Sequence, residues 1–328
     1  MSSRQLEFSV AEQSWPLDKP FRTARGPSTE ARVVVVTVSD GRHTGRGEAV
    51  PISRYKQTPA STAAQLEEIF PRCLDRRQIQ DLLPAGAARN ALDCALWDLE
   101  AKASGQRVWD LANIQIVDAI ETAFTISLDA PEKMAAAASA NDTAPLLKLK
   151  LGGDSLDLPR VEAVRGAAPG ARLIVDANES WSPSHYREVV SALRGWGVEL
   201  IEQPFAENAD DALESLDHPI PICADESCHT AADLPHLVNR YDAINIKLDK
   251  TGGLTEALLL RERARELGFK ILIGCMVCTS LGIAPARLLV GATDYADLDG
   301  PLLLAGDRHS PLVYENGRVG VPRKELWG

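Results

Sequence analysis

The sequence predicts an α/β barrel preceded by an α+β domain, and three features of the chain indicate this fold. Short β-prone apolar runs alternate with segments of helical periodicity from residue 145 onward. Before residue 116, strand-like segments come first and helix-like segments follow. Five of the apolar runs end in a charge at intervals of 26, 26, 23 and 22 residues, at Lys150, Asp176, Glu202, Asp225 and Lys247. Repeated βα units of this length favour a parallel barrel, whose catalytic groups lie at the C-terminal ends of its strands.

The α+β domain is predicted to span residues 1–116 and to cap the barrel. Residues 4–50 alternate as antiparallel strands do, and Asp40-Gly41 supplies turn residues between two of the runs. Helical patterns follow at 60–70 and 87–104. Strands followed by helices are typical of a separate α+β layer.

The barrel is predicted to span residues 117–300. Strands two to six are assigned to the runs at 145–150, 171–178, 198–204, 221–227 and 242–250, and strands seven and eight to 270–276 and 295–300. Residues 301–328 are strand-like, and we expect this segment to return to the cap.

The order of the strands predicts which charges meet at the mouth of the barrel. Strands two and six are half a turn apart in a ring of eight, so Lys150 and Lys247 should face each other. The three strands between them should bring Asp176, Glu202 and Asp225 together. Three carboxylates need a counter-charge, and hard oxygen ligands suit Mg²⁺. The sequence therefore predicts a divalent ion flanked by two amines.

Such a site suits removal of a weakly acidic proton beside a substrate carboxylate. One lysine would take the proton from one face, and the other would return it from the opposite face, which inverts the carbon. A lysine base must be neutral, so its pKa must fall from about 10.4. Lys148 lies two residues before Lys150 on the same side of the strand, and its positive charge would help to lower that pKa.

Five motifs carry a resemblance to a known family, and the resemblance covers essentially the whole chain. They are Lys148-Leu149-Lys150, Asp176-Ala177-Asn178, Glu202-Gln203-Pro204, Asp225-Glu226-Ser227 and Asn245-Ile246-Lys247. The chain resembles the enolase superfamily, muconate-lactonizing subgroup, and within it the dipeptide epimerases that act on L-Ala-D/L-Glu. The resemblance implies a modified (β/α)₇β TIM-like barrel under an α+β capping domain, with one Mg²⁺ per subunit. It also implies that Lys150 and Lys247 are the acid/base pair and that Asp176, Glu202 and Asp225 are the metal ligands.

The same resemblance suggests which residues would bind the substrate. Two loops of the cap, 21–26 and 51–55, would close over the mouth, and Arg25 would receive the side-chain carboxylate of glutamate. Arg22 is the competing candidate because loop lengths vary there. Asp297 and Asp299, two apart on the last strand, would bind the α-ammonium of the N-terminal amino acid. Lys148 would contact the substrate carboxylate.

The expected function is a Mg²⁺-dependent isomerase that epimerises the C-terminal residue of a small dipeptide through a metal-stabilised enolate. Asn178 and Glu226 are expected to support the metal ligands from behind. The alternative is a lyase or cycloisomerase with the same site, such as an o-succinylbenzoate synthase or a muconate lactonizing enzyme. Asp297 and Asp299 argue against that alternative, because its substrates carry no ammonium. Lys250 also follows strand six, but the family motif puts the base at Lys247, and we expect Lys250 to support the loop.

Composition narrows the remaining possibilities for partners and location. A net charge of −11 argues against nucleic acid or an anionic membrane as a partner. No apolar run is long enough to span a bilayer, and the first ten residues lack the pattern of a signal peptide, so a cytoplasmic protein is expected. A role in recycling cell-wall peptide is implied by the resemblance alone, and a homo-oligomer is possible.

Overall fold

The computed structural model describes residues 6–72 and 75–328, and its N-terminal part is a three-stranded antiparallel sheet with four helices. In the sheet, the second strand lies between the first and the third. These elements are β1 (Glu7–Thr23), β2 (Gly26–Ser39), β3 (Thr44–Ala49), α1 (Pro59–Ile69), α2 (Arg76–Leu82), α3 (Ala87–Ser104) and α4 (Val108–Leu111).

Helix α3 packs directly on β3, and glycine makes this contact possible. A Cβ atom added at Gly47 would lie 2.1 Å from the carbonyl oxygen of Ala91, and one added at Gly45 would lie 2.1 Å from that of Ala95. Any side chain at either position would push the helix off the sheet. The predicted strands and the two predicted helices of this domain are present at the expected positions.

Eight parallel strands form the second part of the structure, in a nearly closed barrel whose neighbours follow chain order. The predicted barrel is therefore confirmed, with strands two to six ending at the charged residues or one residue before them. After β4 (Ala119–Glu121), the barrel strands are β5 (Phe124–Ile126), β6 (Leu146–Lys150), β7 (Arg172–Asp176), β8 (Val198–Glu202), β9 (Ile222–Ala224), β10 (Ala243–Ile246), β11 (Lys270–Gly274) and β12 (Tyr295–Asp297).

The first barrel strand was not identified from the sequence, because β5 has three residues and too little alternation to be distinguished from a loop. Hydrogen bonds rather than a regular ladder join it to the last strand. Ala123 N donates to Ala296 O over 2.8 Å, and Leu298 N donates to Thr122 Oγ1 over 2.8 Å. These bonds hold the seam of the ring.

Helices on the outside connect most of the strands. The connection after β8 contains a 3₁₀ helix at Asp210–Ser215, and the chain after β12 forms a 3₁₀ turn at Gly300–Leu303. The structure thus has the (β/α)₇β form that the resemblance implied. The helices are α5 (Pro131–Ala140), α6 (Asp157–Ala167), α7 (Pro183–Gly195), α8 (Leu234–Leu237), α9 (Leu248–Thr251), α10 (Leu254–Glu266) and α11 (Ser280–Arg287).

A layer of apolar residues fills the lower interior of the barrel and determines where the polar residues point. The layer contains Ala123, Leu146, Ile174, Leu200, Cys223, Ala243, Leu272 and Tyr295, all buried and in one cluster. Successive residues of a strand alternate between its two faces, so residues two and four positions further along point inward as well. Asp176 follows Ile174 in this way, and Glu202 follows Leu200. The charged residues are therefore stacked on an apolar floor.

The C-terminal segment contacts both parts of the chain. Its hairpin, β13 (Tyr314–Glu315) and β14 (Arg318–Gly320), pairs with β4. Further on, Trp327 is fully buried and its Nε1 donates to Cys94 O in α3 over 3.0 Å. Gly328 N donates to Asp98 Oδ1 of the same helix over 2.7 Å. The end of the chain thus packs on the cap.

Within the described ranges, no helix has the length and apolarity needed to cross a membrane.

We expect Trp327→Ala to destabilise the protein by about 3 to 5 kcal/mol, because it leaves a cavity and removes the bond to Cys94 O. The measurement is thermal unfolding followed by circular dichroism. Val313→Ala is the control, since Val313 is 44% exposed and its truncation should change stability by less than about 0.5 kcal/mol. Equal unfolding midpoints for the two variants would contradict a stabilising role of Trp327 in packing the end of the chain on the cap.

Candidate active site

The charged side chains at the upper ends of the barrel strands surround a cavity of about 120 Å³. This is well below the usual range of roughly 300 to 1,000 Å³ for small-molecule pockets. The lysine side chains account for part of the difference, because they reach into the cavity. A larger cavity of about 580 Å³ lies outside β5, but Lys150 and Lys247 do not line it. The smaller cavity is therefore the candidate active site, because Lys150 and Lys247 line it.

Four lysine side chains in this cavity are paired with carboxylates. Lys150 Nζ lies 2.5 Å from Asp176 Oδ2, and Lys247 Nζ lies 2.7 Å from Asp225 Oδ2. Lys148 Nζ is 2.7 Å from Glu202 Oε2 and 2.7 Å from Asp297 Oδ2. Lys250 Nζ is 2.7 Å from Asp225 Oδ1.

Burial makes these pairs obligatory. Asp176 and Glu202 are completely buried and Asp225 is 3% exposed, so an unpaired charge at any of them would be costly. From the sequence, we expect Lys250 only to support the loop after strand six. In the structure its ammonium group also binds Asp225 and the backbone oxygen of Asn245. Lys250 lies four residues beyond the end of its strand, and the sequence pattern gave no indication of this contact.

The pKa of Lys247 runs against the requirement for a neutral base in this arrangement. Burial lowers the pKa of Lys247, but Asp225 and Glu202 outweigh it and raise that pKa above its ordinary value. The carboxylates of Asp297 and Glu202 likewise raise the pKa of buried Lys148. The carboxylates must therefore engage another cation before a lysine can act as a base.

The pKa values of the acidic side chains are set by the same two effects, burial and neighbouring charges. Burial and the neighbouring Asp176 raise the pKa of Glu202 to about 7. Burial opposes ionisation of Asp225, yet Lys247 and Lys250 hold its pKa well below the ordinary value. Asp225 is therefore charged in this arrangement, whereas Glu202 is at the point of titration near neutral pH.

The donor set suits Mg²⁺, although no group of acidic, histidine or cysteine side chains among the described residues forms a ready-made ion cage. Asp176, Glu202 and Asp225 come from three adjacent strands. Glu202 Oε2 is close to Lys148 Nζ but has no hydrogen bond of acceptable geometry. Buried Asn178 Oδ1 and Asn245 Oδ1 also lack donors. These unsatisfied hard oxygen atoms, with three carboxylates, fit a divalent cation.

Asp297 and Asp299 lie at the end of the last barrel strand, which is three strands from the one that precedes Asp225. Strand β12 ends at Asp297, so Asp299 lies just beyond it, but both line the cavity and are nearly buried. Thr125 N donates to Asp299 Oδ2 over 2.6 Å, and Thr125 Oγ1 is 3.4 Å from Asp297 Oδ1. Burial and the nearby Asp297 raise the pKa of Asp299 to about 7. Thr125 was missed from the sequence because its strand was missed.

Arg25 and Arg22 are clearly separated by the structure. Arg25 lines the cavity and pairs with Glu179 and Glu226, whereas Arg22 Nη1 binds Asp129 Oδ2 over 2.8 Å and does not line it. The geometry favours Arg25 as the residue that meets a substrate.

The two residues expected to support the metal ligands also line the cavity. Asn178 has a φ of 45° and donates its backbone N–H to Asp176 Oδ1 over 2.9 Å. Glu226 pairs with Arg25, and its Oε2 has no hydrogen bond. Burial raises the pKa of Glu226 above its ordinary value. Asn178 thus orients one expected ligand, and Glu226 is closer to the cap loop than the sequence suggested.

Family models match almost the whole chain. Residues 5–112 match the model described as mandelate racemase/muconate lactonizing enzyme, N-terminal domain. Residues 132–325 match the model described as enolase C-terminal domain-like. The two matches correspond to the cap and to the barrel with its C-terminal segment.

Curated relatives are similar along nearly their full length. The chain is 47% identical over 315 residues to the L-Ala-D/L-Glu epimerase of Escherichia coli (strain K12), covering 94% of this chain and 98% of that protein. It is 43% identical over 301 residues to the N-acetyl-D-glutamate racemase of Pseudoalteromonas sp, covering 90% of this chain and 95% of that protein.

Solved structures share the fold closely. An enolase family member from Agrobacterium tumefaciens with homology to dipeptide epimerases, with bound sodium and L-Ala-L-Glu, superposes with a TM-score of 0.96 and 47% identity, covering 98% of this chain and 100% of that chain. A dipeptide epimerase from Enterococcus faecalis complexed with Mg and L-Leu-L-Tyr superposes with a TM-score of 0.90 and 28% identity, covering 96% of each.

We expect Mg²⁺ to bind the metal-free protein and raise its thermal midpoint, because a ligand at 100 times its Kd stabilises by about 2.7 kcal/mol. Calorimetric titration and thermal unfolding measure this. Glu202→Gln should abolish both signals. Glu199→Gln, on the same strand and one-third exposed, should preserve them. Equal Mg²⁺ affinity of Glu202→Gln and the unsubstituted protein would contradict the assigned metal site.

Proposed function

Because the chain belongs to the mandelate racemase and muconate lactonizing enzyme family of the enolase superfamily, we propose that it is a Mg²⁺-dependent dipeptide epimerase. The isomerase class follows from the similarity to epimerases and racemases over most of the chain. The proposed substrate is L-Ala-D/L-Glu, and the reaction inverts the α-carbon of the C-terminal residue. One observation carries the proposal: Lys150 and Lys247, at the ends of β6 and β10 of a single ring, line one cavity and bracket the three strands whose ends carry the buried carboxylates of Asp176, Glu202 and Asp225.

The two lysines would act from opposite faces of the substrate α-carbon. Lys150 Nζ removes the α-proton, and the electron pair of the broken C–H bond is delocalised into the adjacent carboxylate. Lys247 Nζ then delivers a proton to the other face, and the reverse reaction exchanges the two roles. Since β6 and β10 are four strands apart, the lysines can reach the same carbon from two sides.

Asp176, Glu202 and Asp225 would hold the cation, which supplies Lewis-acid stabilisation of the charge that develops on the substrate carboxylate. With these carboxylates engaged, Lys150 and Lys247 lose their present acidic partners. Burial, which already opposes the charge of Lys247, would then favour the neutral form that Lys247 needs when it is the base in the reverse direction. Lys148 remains cationic through Asp297 and would contact the substrate carboxylate.

The remaining residues would select a dipeptide with a free amino terminus and an acidic C-terminal residue. Asp297 and Asp299 would accept hydrogen bonds from the α-ammonium, and Thr125 fixes the orientation of both carboxylates. Arg25 would bind the side-chain carboxylate of glutamate through the guanidinium N–H groups that its bonds to Glu179 and Glu226 leave free.

A second candidate function is racemisation of an N-acylated glutamate. The 43% identity to an N-acetyl-D-glutamate racemase favours considering it. An acylated amine carries no positive charge, so it would leave the buried carboxylate of Asp299 without a cationic ligand and Asp297 with Lys148 alone. The aspartate pair therefore supports the dipeptide. The lyase and cycloisomerase alternatives lack the ammonium in the same way.

Proton NMR of L-Ala-L-Glu in D₂O with Mg²⁺ tests the two-base mechanism. The unsubstituted protein should exchange the Glu α-proton and form the L,D diastereomer. Lys150→Ala and Lys247→Ala should each lose epimerisation by about 10² to 10⁴-fold, while each retains exchange with one diastereomer, a different one in each variant. Lys133→Ala, 70% exposed on α5, is the control and should be unaffected. Retained epimerisation in Lys150→Ala would contradict the mechanism.

The pH dependence of kcat/KM tests the ammonium site. Because an ionised Asp299 binds the ammonium and its pKa in the free protein is about 7, kcat/KM for L-Ala-L-Glu should rise with pH through this region. Asp299→Asn should remove that part of the profile and lower kcat/KM about 10 to 100-fold, with Mg²⁺ stabilisation unchanged. Faster turnover of N-acetyl-D-glutamate than of L-Ala-L-Glu by the unsubstituted protein would instead support the second candidate function.

A further inference from the structure

Glu179 connects both substrate-side loops of the cap to the barrel. It lies three residues beyond Asp176, and its side chain is 7% exposed. Its Oε2 accepts a hydrogen bond from Arg25 Nη2 over 2.9 Å. Its Oε1 accepts from Arg54 Nη2 over 2.6 Å and from the backbone N–H of Glu207 over 2.9 Å. One barrel carboxylate thus holds two arginines and a neighbouring barrel loop.

The two arginines come from separate segments of the cap. Arg25 lies in the turn between β1 and β2, and Arg54 lies in the 3₁₀ helix Ser53–Tyr55. Both segments border the cavity, since Thr23, Ile52 and Tyr55 line it. Apart from Glu179, Arg54 pairs with Glu207 over 3.2 Å. Loss of Glu179 would therefore remove the contact that the two segments share.

The backbone around Glu179 indicates that its position is strongly constrained. Its φ is 67°, in the left-handed region that residues other than glycine rarely adopt. Asn178 before it has a φ of 45°. Such conformations cost free energy and persist where surrounding contacts determine them. They turn the chain after β7 so that Glu179 faces the cap loops and Asn178 faces the cavity.

The hydrogen bonds of Arg25 leave part of its guanidinium available. Arg25 uses Nη2 for both Glu179 and Glu226. The Nη1 and Nε groups donate to no other described residue, and the two N–H groups of Nη1 can bind a carboxylate while Nη2 stays with Glu179. Glu179 can therefore stay in place while a substrate carboxylate binds, and it orients the arginine for that contact.

We propose that Glu179 is a positioning residue that holds both cap loops over the barrel mouth and orients Arg25 toward the side-chain carboxylate of the substrate. The second part of this inference rests on the proposed dipeptide substrate. Glu179 makes no contact with the reacting atoms, so its effect should appear in substrate binding rather than in the proton-transfer step.

Steady-state kinetics of Glu179→Gln tests the orientation of Arg25. KM for L-Ala-L-Glu should rise about tenfold, with kcat within about twofold, because the loss of a nearly buried charged hydrogen bond is worth roughly one to two kcal/mol. The inhibition constant of L-Ala-L-Gln, which lacks the side-chain charge, should change less than about threefold. Equal effects on both ligands, or an unchanged KM for L-Ala-L-Glu, would overturn the orientation of Arg25.

Limited proteolysis with trypsin tests the loop anchor without any substrate. Cleavage after Arg25 and after Arg54, followed by mass spectrometry, should be roughly fivefold or more faster in Glu179→Gln, because the loops open more often. Glu199→Gln is the matched control, since it breaks a Glu–Arg pair with Arg172 at the other end of the barrel strands. Equal cleavage rates in the two variants would overturn the anchor.

The two experiments separate this inference from the proposed function. If the unsubstituted protein does not epimerise L-Ala-L-Glu, the proposed function fails, while the proteolysis result still decides the anchor. If it does epimerise the dipeptide and Glu179→Gln behaves as the control in both experiments, only the inference fails.

Discussion

The structure depends on one constraint, which is that charges inside a barrel must be paired. The lower interior is filled by apolar side chains from all eight strands, and the next positions along these strands carry lysines and carboxylates. Burial gives each unpaired charge a penalty of several kcal/mol, so every ammonium group in the cavity lies against a carboxylate. The same pairing raises the pKa of Lys247 and holds that of Asp225 low. A cation that takes the carboxylates would release the lysines, so metal binding and the availability of a base are linked.

The cap contacts the segment that follows β10 and Lys247. The part of the cavity wall that the cap forms is therefore fixed relative to one of the lysines. Asn90 Nδ2 of α3 donates to Asp249 Oδ1 over 2.9 Å, and Asp249 Oδ1 also accepts from Val50 N over 2.8 Å. A Cβ atom added at Gly253 would lie 2.5 Å from Asp93 Cβ, so the loop after β10 passes very close to the helix. The loop at 51–55 is therefore held from two directions, by Asp249 from below and by Glu179 from the barrel mouth.

The residues suited to proton transfer and the residues suited to substrate selection are different sets in this molecule. The lysines and the three carboxylates can serve any reaction that begins with loss of a proton beside a carboxylate, and a fold of this kind hosts several such reactions. Relatives at 47% and 43% identity are named for different substrates. In the proposed function, Asp297, Asp299 and Thr125 would distinguish a free ammonium from an acylated amine. Arg25, whose pKa is raised by Glu226 against the effect of burial, would distinguish an acidic side chain.

Strand periodicity and the regular spacing of charges were enough to predict the barrel, the two lysines and the three carboxylates. Periodicity and spacing are visible in the local sequence. The charged residues then meet because the C-terminal ends of successive parallel strands lie at one edge of the barrel. The very short first strand had no such pattern, so Thr125 could not be found. Tertiary contacts alone decided that Arg25 rather than Arg22 lines the cavity, that Lys250 binds Asp225, and that Glu179 joins two cap loops. Each of these depends on the direction that a loop takes after a strand or between two strands, and loop direction is set by packing between residues far apart in the chain.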